Sequence, residues 1–354
     1  MKLQRLLLLL IAILFVWVVV LTTQLNKEPA VSEETIINNV VSGFSTDLTK
    51  VAEERAPAVV TVESGGTLSV ALFYRSENGK SYFLTTYHTL SEEGITLHLE
   101  NGLVSEAAIK GFDVFSDICL LEAEIPYEIS EVPFGNAELL KKGEFLITFG
   151  APRVVDYSPA VSLAMVSNKK TTVNNLLNYE ENELTYYIDL IQMSSIQTAG
   201  YSGGPVFNMN GELVGMNCFT LRSSDGTSFA LPVNEISLIA EKLIDDRAVN
   251  KTMFGIRGEP VANMRNYEKA SLAIELTQIE GYYVENLHSD SLGLHAGLLP
   301  GDILLTVNGE KINSESDLLK AQYSGLGEYD LQVNRKGEPV ALHLSIEKES
   351  EPAE

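Results

Sequence analysis

Apolar and polar residues along this chain follow three regimes. From Leu6 to Leu21, sixteen apolar residues run without a charge, a stretch that spans about 24 Å as a helix at ~1.5 Å per residue. Thr22 and Thr23 extend it towards the ~30 Å of a bilayer's hydrocarbon core, and Arg5 can snorkel at its start. Between Pro57 and Pro232 the apolar residues fall instead into short β-rich runs separated by turn signals. These are "AVVTVES", "SVALFYRSENGKSYFLTTYHTL" with a turn at "SENGK", "GITLHLENG", "DICLLEAE", "EFLITFGAP", "LTYYIDLIQ" and "ELVGMNCFTL". Many short strands at close spacing, with no helical period between them, predict an antiparallel barrel or sandwich. Helical spacing returns in "EISLIAEKLIDDRAV", where Ile236, Ile239, Ala240, Leu243 and Ile244 predict a helix that closes the domain.

A smaller unit follows, from about Phe254 to Glu347. It contains "EGYYVENL", "AGLLPGDILLTVNGEKI", the helical "SESDLLKAQ" and two last strands, "YDLQVNR" and "PVALHLSI", with "PGD" and "VNG" as turn chemistry. Residues 25–50 lack sustained periodicity and read as a linker with a docked segment at its end. The expected plan is an anchor over 1–24, a linker over 25–50, a β domain over 51–250 and a second domain over 251–350.

Charge adds direction to this plan. Lys2 and Arg5 precede the apolar run, so the N-terminus is expected in the cytoplasm and both folded domains outside the inner membrane. A cleaved signal peptide is the rival, but "LTTQLNKEPA" offers only poor small-x-small sites. With 25 Lys+Arg against 48 Asp+Glu, the net charge of −23 repels phosphate backbones and argues against nucleic-acid binding. Two cysteines, Cys119 and Cys218, are too few for a disulfide scaffold or a Cys-based zinc site; their apolar contexts predict buried thiols.

Of five histidines, only His88 has a suggestive context, at the end of the strand "SYFLTTYHTL". Asp117 follows in "FDVFSDICLLEAE", and Ser202 in "QTAGYSGGPVF". Acyl transfer needs a hydroxyl, a neutral imidazole to take its proton, and a carboxylate to fix the tautomer, and the order His, Asp, Ser in an all-β chain suits this. A tetrahedral intermediate also needs two converging N–H donors. Gly200 permits the backbone that turns its own N–H and that of Ser202 inward. Gly203 and Gly204 allow substrate and strand to approach closely.

These segments carry a resemblance. "RAPAVVTV", "YFLTTYHTL", "DVFSDICLLE", "AGYSGGPVFNMNGELVGMN", "FALP" and "GLLPGDILLTVNGEKI" resemble successive segments of the trypsin-like serine proteases of the HtrA/Deg family, and the layout is most similar to its membrane-anchored stress proteases. The resemblance implies a mainly β chain: a chymotrypsin-like double β-barrel protease domain, then one α+β PDZ domain, behind an N-terminal transmembrane helix. It makes His88 the general base, Asp117 the orienting carboxylate and Ser202 the nucleophile, with Gly200 and Ser202 forming the oxyanion hole. Cys218, Phe219 and Thr220 would pair with the substrate backbone. Ile196, six residues before the nucleophile, would floor the primary pocket and favour cleavage after small or medium apolar residues. In the PDZ domain, Gly281, Tyr282, Tyr283 and Val284 would form a carboxylate loop and Val284 to Leu287 a peptide-pairing strand, opposite Leu318, Ala321 and Gln322. The implied partners are protein or peptide substrates, C-terminal peptides at the PDZ groove, the inner membrane through residues 6–23, and two further copies in a homotrimer joined around Phe44. No cofactor or metal is implied.

The chain departs from the family pattern at several points. Tyr201 stands where Asn is usual before the serine, "TLSVALFY" replaces a glycine-serine-glycine step, Thr86 and Tyr87 precede the histidine, and Cys218 replaces Ser or Thr. The expected function is an anchored envelope endopeptidase gated by its PDZ domain, in stress sensing or protein quality control. Its rivals are a pseudoprotease of the same fold retained as a peptide-binding scaffold, and a soluble protease released by cleavage.

Overall fold

A computed structural model describes residues 13–22, 47–91, 94–151, 158–179, 182–195, 200–218, 226–246, 249, 251–289 and 291–346. The chain forms two compact units, residues 1–50 and 51–354. In the first, residues 13–22 are helical and every side chain is exposed, including Phe15 and Trp17. Among the described residues, no helix is long and apolar enough to cross a membrane.

The second unit begins with a closed antiparallel barrel of six strands: β1 (Val59–Ser64), β2 (Thr67–Glu77), β3 (Lys80–Thr86), β4 (Ile95–His98), β5 (Val104–Asp113) and β6 (Ile118–Ala123). They close in the order β1-β2-β3-β6-β5-β4. The β2–β3 hairpin turns where the sequence signals it, at Asn78 (φ 52°) and Gly79 (φ 79°), two left-handed residues between the paired Glu77 and Lys80. β1 and the middle of β2 are buried on both faces, which explains why they read as continuous apolar runs rather than alternation. A second closed barrel follows, of β7 (Phe145–Gly150), β8 (Ala160–Tyr179), β9 (Asn182–Ser194), β10 (Pro205–Asn208), β11 (Leu213–Asn217) and β12 (Thr227–Pro232), in the order β10-β11-β12-β9-β8-β7. The helix Val233–Asp245 packs against β5 and β6 of the first barrel and β11 and β12 of the second, with Ile236, Ile239, Ala240 and Leu243 fully buried. It fastens the barrels together rather than capping one of them.

The chain then builds a third sheet from β13 (Ile256–Pro260), β14 (Tyr282–Leu287), β15 (Ile303–Val307), β16 (Glu310–Lys311), β17 (Glu328–Arg335) and β18 (Glu338–Ser345). Its order is β13-β14-β15-β17-β18, with β16 on β15. The helix Glu315–Gln322 lies against it, capped by Ser314, whose hydroxyl accepts from Asp317 N at 3.1 Å, with Glu315 and Asp317 in the first turn. Phe254, Tyr282, Val284, Leu304, Tyr329, Leu331 and Val333 form the core under this helix.

Candidate active site

The end of β3 and the start of β6 are neighbours in the first barrel, with Thr86 paired to Ile118. His88 leaves β3 in a single 3-10 turn, Tyr87–Thr89, and Asp117 immediately precedes β6. Local bonds fix this juxtaposition. Tyr87 N donates to Asp117 O (2.8 Å), His88 N to Asp117 Oδ1 (2.9 Å), and the His88 ring pairs through Nδ1 with Asp117 Oδ2. The Tyr87 ring stacks on Phe112 at 4.0 Å and holds the turn from its other side. Asp117 adopts φ 63°, a left-handed conformation that Asp tolerates better than most residues. One carboxylate thus orients the imidazole and leaves Nε2 for chemistry, the division of labour a general base requires. Burial pushes the His88 pKa down, but the hydrogen bond and negative charge of Asp117 outweigh it, and the net shift is upward.

Ser202 comes from the second barrel, in the turn before β10, and this turn reaches across to the first. Val70 N of β2 donates to Ser202 O at 3.1 Å. A Cβ on Gly203 would lie 2.1 Å from Val70 O and 2.4 Å from Thr85 Oγ1, and Gly203 has φ 78°. Only glycine lets the loop close onto the strands that lead into His88. Gly204 is equally constrained, since its Cβ would meet Phe149 O at 2.0 Å. Gly203 N bonds Asn217 O (2.8 Å) and Asn217 N bonds Gly204 O (2.9 Å), fixing the loop to β11.

Gly200 has φ 105°, open to glycine and strained for other residues, and its carbonyl accepts from Ala151 N at 2.8 Å. Tyr201 does not point into the site. It is buried in the second barrel, its ring occupying the space a Cβ on Gly150 would need (2.5 Å), and its hydroxyl is 2.7 Å from Ser162 Oγ. The bulky residue beside the serine therefore acts as a wedge that seats the loop. Gly150 is its partner, and a glycine ending an otherwise apolar strand is the signal in the sequence that marks it. Ser162 also lines a cleft of about 490 Å³ with Leu163, Ser194, Ser195 and Gly226.

Cys119 and Cys218 are free, buried thiols, as their contexts predict. Burial and then the charge of Asp117 push the Cys119 thiol far up, so it stays protonated. Cys218 Sγ is 3.8 Å from Phe229 O. Ile196, Phe219, Thr220 and Phe44 lie outside the described residues. Among the described residues, no three His, Cys, Asp or Glu side chains are arranged to hold a metal ion.

The third sheet corrects the expected peptide loop. β14 is an inner strand. Pairs from Ile256 to Pro260 of β13 cover one edge, while Tyr282 and Tyr283 pair with Leu304 and Ile303 of β15 on the other. Val284 N and O are taken by Asp302 O and Gly301 N, and Gly281 N bonds Asn313 Oδ1 at 2.8 Å. A strand paired on both sides cannot accept a third partner, so Tyr282 to Val284 cannot capture a peptide as expected. Tyr282 and Leu287 belong to the core, and Tyr283 packs against the Val261 cluster beside it. The edge strand on this side of the sheet is β13. Its Gly258 and Pro260 should have marked it, since proline in a sheet is confined to edges and bulges. Leu318 and Gln322 line a cavity of about 790 Å³ whose other walls include Ile256 and Glu259 of β13 and Lys170 of β8. Lys170 Nζ donates to Gly258 O (2.8 Å), to Tyr282 OH (2.9 Å) and to Glu315 Oε1 (2.5 Å).

Two closed barrels with a His–Asp pair on one and a glycine-bound serine turn on the other describe a trypsin-like peptidase, and residues 71–216 match the trypsin-like peptidase domain family. Serine protease Do-like HtrA of Lactobacillus helveticus is 26% identical over 283 residues, covering 77% of this chain and 67% of that protein. Its namesake in Bacillus subtilis is 27% identical over 297 residues, covering 82% and 65%. The chain is similar to HtrA/Deg-type trypsin-like serine proteases over about three quarters of its length. Enzymes of the HtrA/Deg family are hydrolases. The matched part of this chain spans about two thirds of those two relatives' length. Among solved structures, the HtrA-type protease AlgW with a tripeptide superposes with a TM-score of 0.58 at 22% identity, covering 84% of this chain and 96% of that one. The serine endoprotease from Yersinia pestis gives 0.52 at 24% identity, covering 84% and 96%. Both share the fold of this chain.

Proposed function

We propose that the protein is a serine endopeptidase of the cell envelope in which Ser202 is the nucleophile, His88 the general base and Asp117 the carboxylate that orients it. The observation that carries this reading is the double engagement of His88 by Asp117, through backbone N–H and ring Nδ1, beside the strands on which the Ser202 turn closes. The neutral imidazole takes the Ser202 proton as its oxygen attacks the scissile carbonyl, and the N–H groups of Gly200 and Ser202 receive the oxyanion. Ile196 makes the pocket floor apolar, so cleavage falls after small or medium apolar residues.

The third sheet and its helix form a PDZ-type regulator. Its peptide site is the cavity between β13 and the helix Glu315–Gln322, where β13 has a described strand partner only in β14, an added strand would displace Lys170 Nζ from Gly258 O, and Leu318 and Ile256 supply apolar walls. An apolar C-terminal peptide seated there raises turnover in proportion to its preference for the active form. The apolar helix near the N-terminus, exposed at every described position and preceded by Lys2 and Arg5, anchors the protein in the inner membrane with both domains outside. A homotrimer joined around Phe44 completes the assembly, and envelope stress sensing or protein quality control is its role.

A fluorophosphonate probe with the purified protein tests the catalytic reading. Covalent label on Ser202, and none in Ser202→Ala, supports it; an unlabelled parent contradicts it. Protease added to spheroplasts should digest both domains, and protection would reverse the topology.

A further inference from the structure

The turn that presents Asp117 is built around a second, buried aspartate. Asp113 ends β5, and its Oδ2 accepts from Ser116 Oγ (2.6 Å) and Ser116 N (3.1 Å), while Oδ1 accepts from Phe115 N (3.4 Å). Ser116 Oγ then accepts from Ile118 N at 3.4 Å, so residues on both sides of Asp117 hang on this one carboxylate. Tyr186 of β9 steadies the same turn, its hydroxyl donating to Phe115 O at 2.5 Å.

The carboxylate is also reached from the C-terminal unit, 210 residues away. Tyr323 follows the helix Glu315–Gln322 and is 1% exposed. Its hydroxyl lies 3.2 Å from Asp113 Oδ2 and 2.7 Å from Glu235 Oε1 of the helix that fastens the barrels. Lys251 Nζ donates to Glu235 Oε1 at 2.5 Å and sits 5.0 Å over the Tyr323 ring. Two buried carboxylates thus share one ammonium and one phenol, whose single proton is divided between Glu235 at 2.7 Å and Asp113 at 3.2 Å. Glu235 is matched by Lys251, whose charge also favours the Asp113 carboxylate; among the described residues, the hydrogen-bond donors to Asp113 are neutral, and Tyr323 is the one from outside the first barrel. A buried carboxylate stripped of a donor is costly, and the structure around it must move to compensate.

We propose that Tyr323 is a positioning residue for catalysis: its hydroxyl, bridging Asp113 and Glu235, holds the Asp113–Ser116 turn in the form that delivers Asp117 to His88. The C-terminal unit is on this account a structural part of the active site, separately from any peptide it binds. Burial pushes the Asp113 carboxyl up and the Tyr323 hydroxyl well up, which keeps the phenol a donor throughout the working pH range. The inference rests on the serine-peptidase reading.

The test is Tyr323→Phe in the full chain, which keeps the ring under Lys251 and removes the bridging oxygen. Rates are expressed per site titrated with fluorophosphonate, so that misfolded protein does not count. The expected result is a fall in kcat of about tenfold with KM within about twofold. The acid limb of the pH profile should also move down by about half a pH unit, because His88 loses part of its support from Asp117. Ser116→Ala should reproduce both changes, and the double variant should be no worse than the poorer single one. Tyr74→Phe, which removes a phenol–carboxylate bond to Glu241 away from this turn, should leave the limb in place. If Tyr323→Phe fails to fold, Asp113→Asn carries the same expectation. A parental kcat and acid limb per titrated site, or additive effects in the double variant, would overturn the proposal while leaving the protease reading intact. A parent that neither labels nor cleaves overturns both.

Discussion

In the first barrel, His88 and Asp117 stand on adjoining strand ends and are tied by three hydrogen bonds among neighbours. In the second barrel, Ser202 stands on a turn held by glycines pressed against other strands, a buried tyrosine and a carbonyl bonded to Ala151. Both barrels close in equivalent strand orders, so the contrast lies in the loops and not in the frame. The proposed base is fixed by local bonding and the proposed nucleophile by packing across barrels. A site divided in this way can be switched by shifting the serine turn while the His–Asp pair stays assembled.

Substitutions can break this contrast at different strengths. Ser202→Ala should cut peptide hydrolysis by about 10⁴-fold or more with the melting temperature little changed, and Asp117→Asn should approach the same loss through the wrong imidazole tautomer. Gly203→Ala attacks the packing instead. Its Cβ would lie 2.1 Å from Val70 O at a left-handed φ, so the turn must withdraw from the first barrel. A shift near 1 Å at the nucleophile predicts roughly a 100-fold lower kcat/KM, together with a lower melting temperature. Tyr201→Phe is the mildest. It keeps the wedge over Gly150 and loses the bond to Ser162, about 1 kcal/mol, which should lower the melting temperature by about 2–4 °C and kcat by a few-fold. Equal effects from Gly203→Ala and Tyr201→Phe would erase the distinction between steric fit and a single hydrogen bond.

The barrels were legible in the sequence because their determinants are local. Asn78-Gly79 specifies a tight hairpin, short apolar runs specify strands, and His88, Asp117 and Ser202 sit in segments whose chemistry reads directly. The glycine pair after Ser202 signals close approach, and Val70, Thr85 and Phe149 are what it approaches. What escaped was non-local. "GYYVENL" looks more like a peptide-pairing strand than "IRGEP" because its aromatic and β-branched residues favour strands, yet those same residues place it inside the sheet, and the glycine and proline put β13 at the edge. Tyr201 read as a departure with unknown consequence because Gly150, which makes room for it, lies 51 residues earlier. Tyr323 gave no signal at all, since nothing in "KAQYSG" points to a carboxylate in the first barrel.

The central claim is that His88, held by Asp117, activates Ser202. The most direct measurement is the rate of fluorophosphonate labelling at Ser202 as a function of pH, in the parent and in His88→Ala. Labelling needs the neutral imidazole, and Asp117 raises the His88 pKa, so the parental rate should climb with pH through a single ionisation above the ordinary imidazole value of about 6.5. It should be lost below that ionisation, and at every pH in His88→Ala. A parental rate that is flat through neutral pH, or a His88→Ala variant that labels as fast as the parent, would contradict the account.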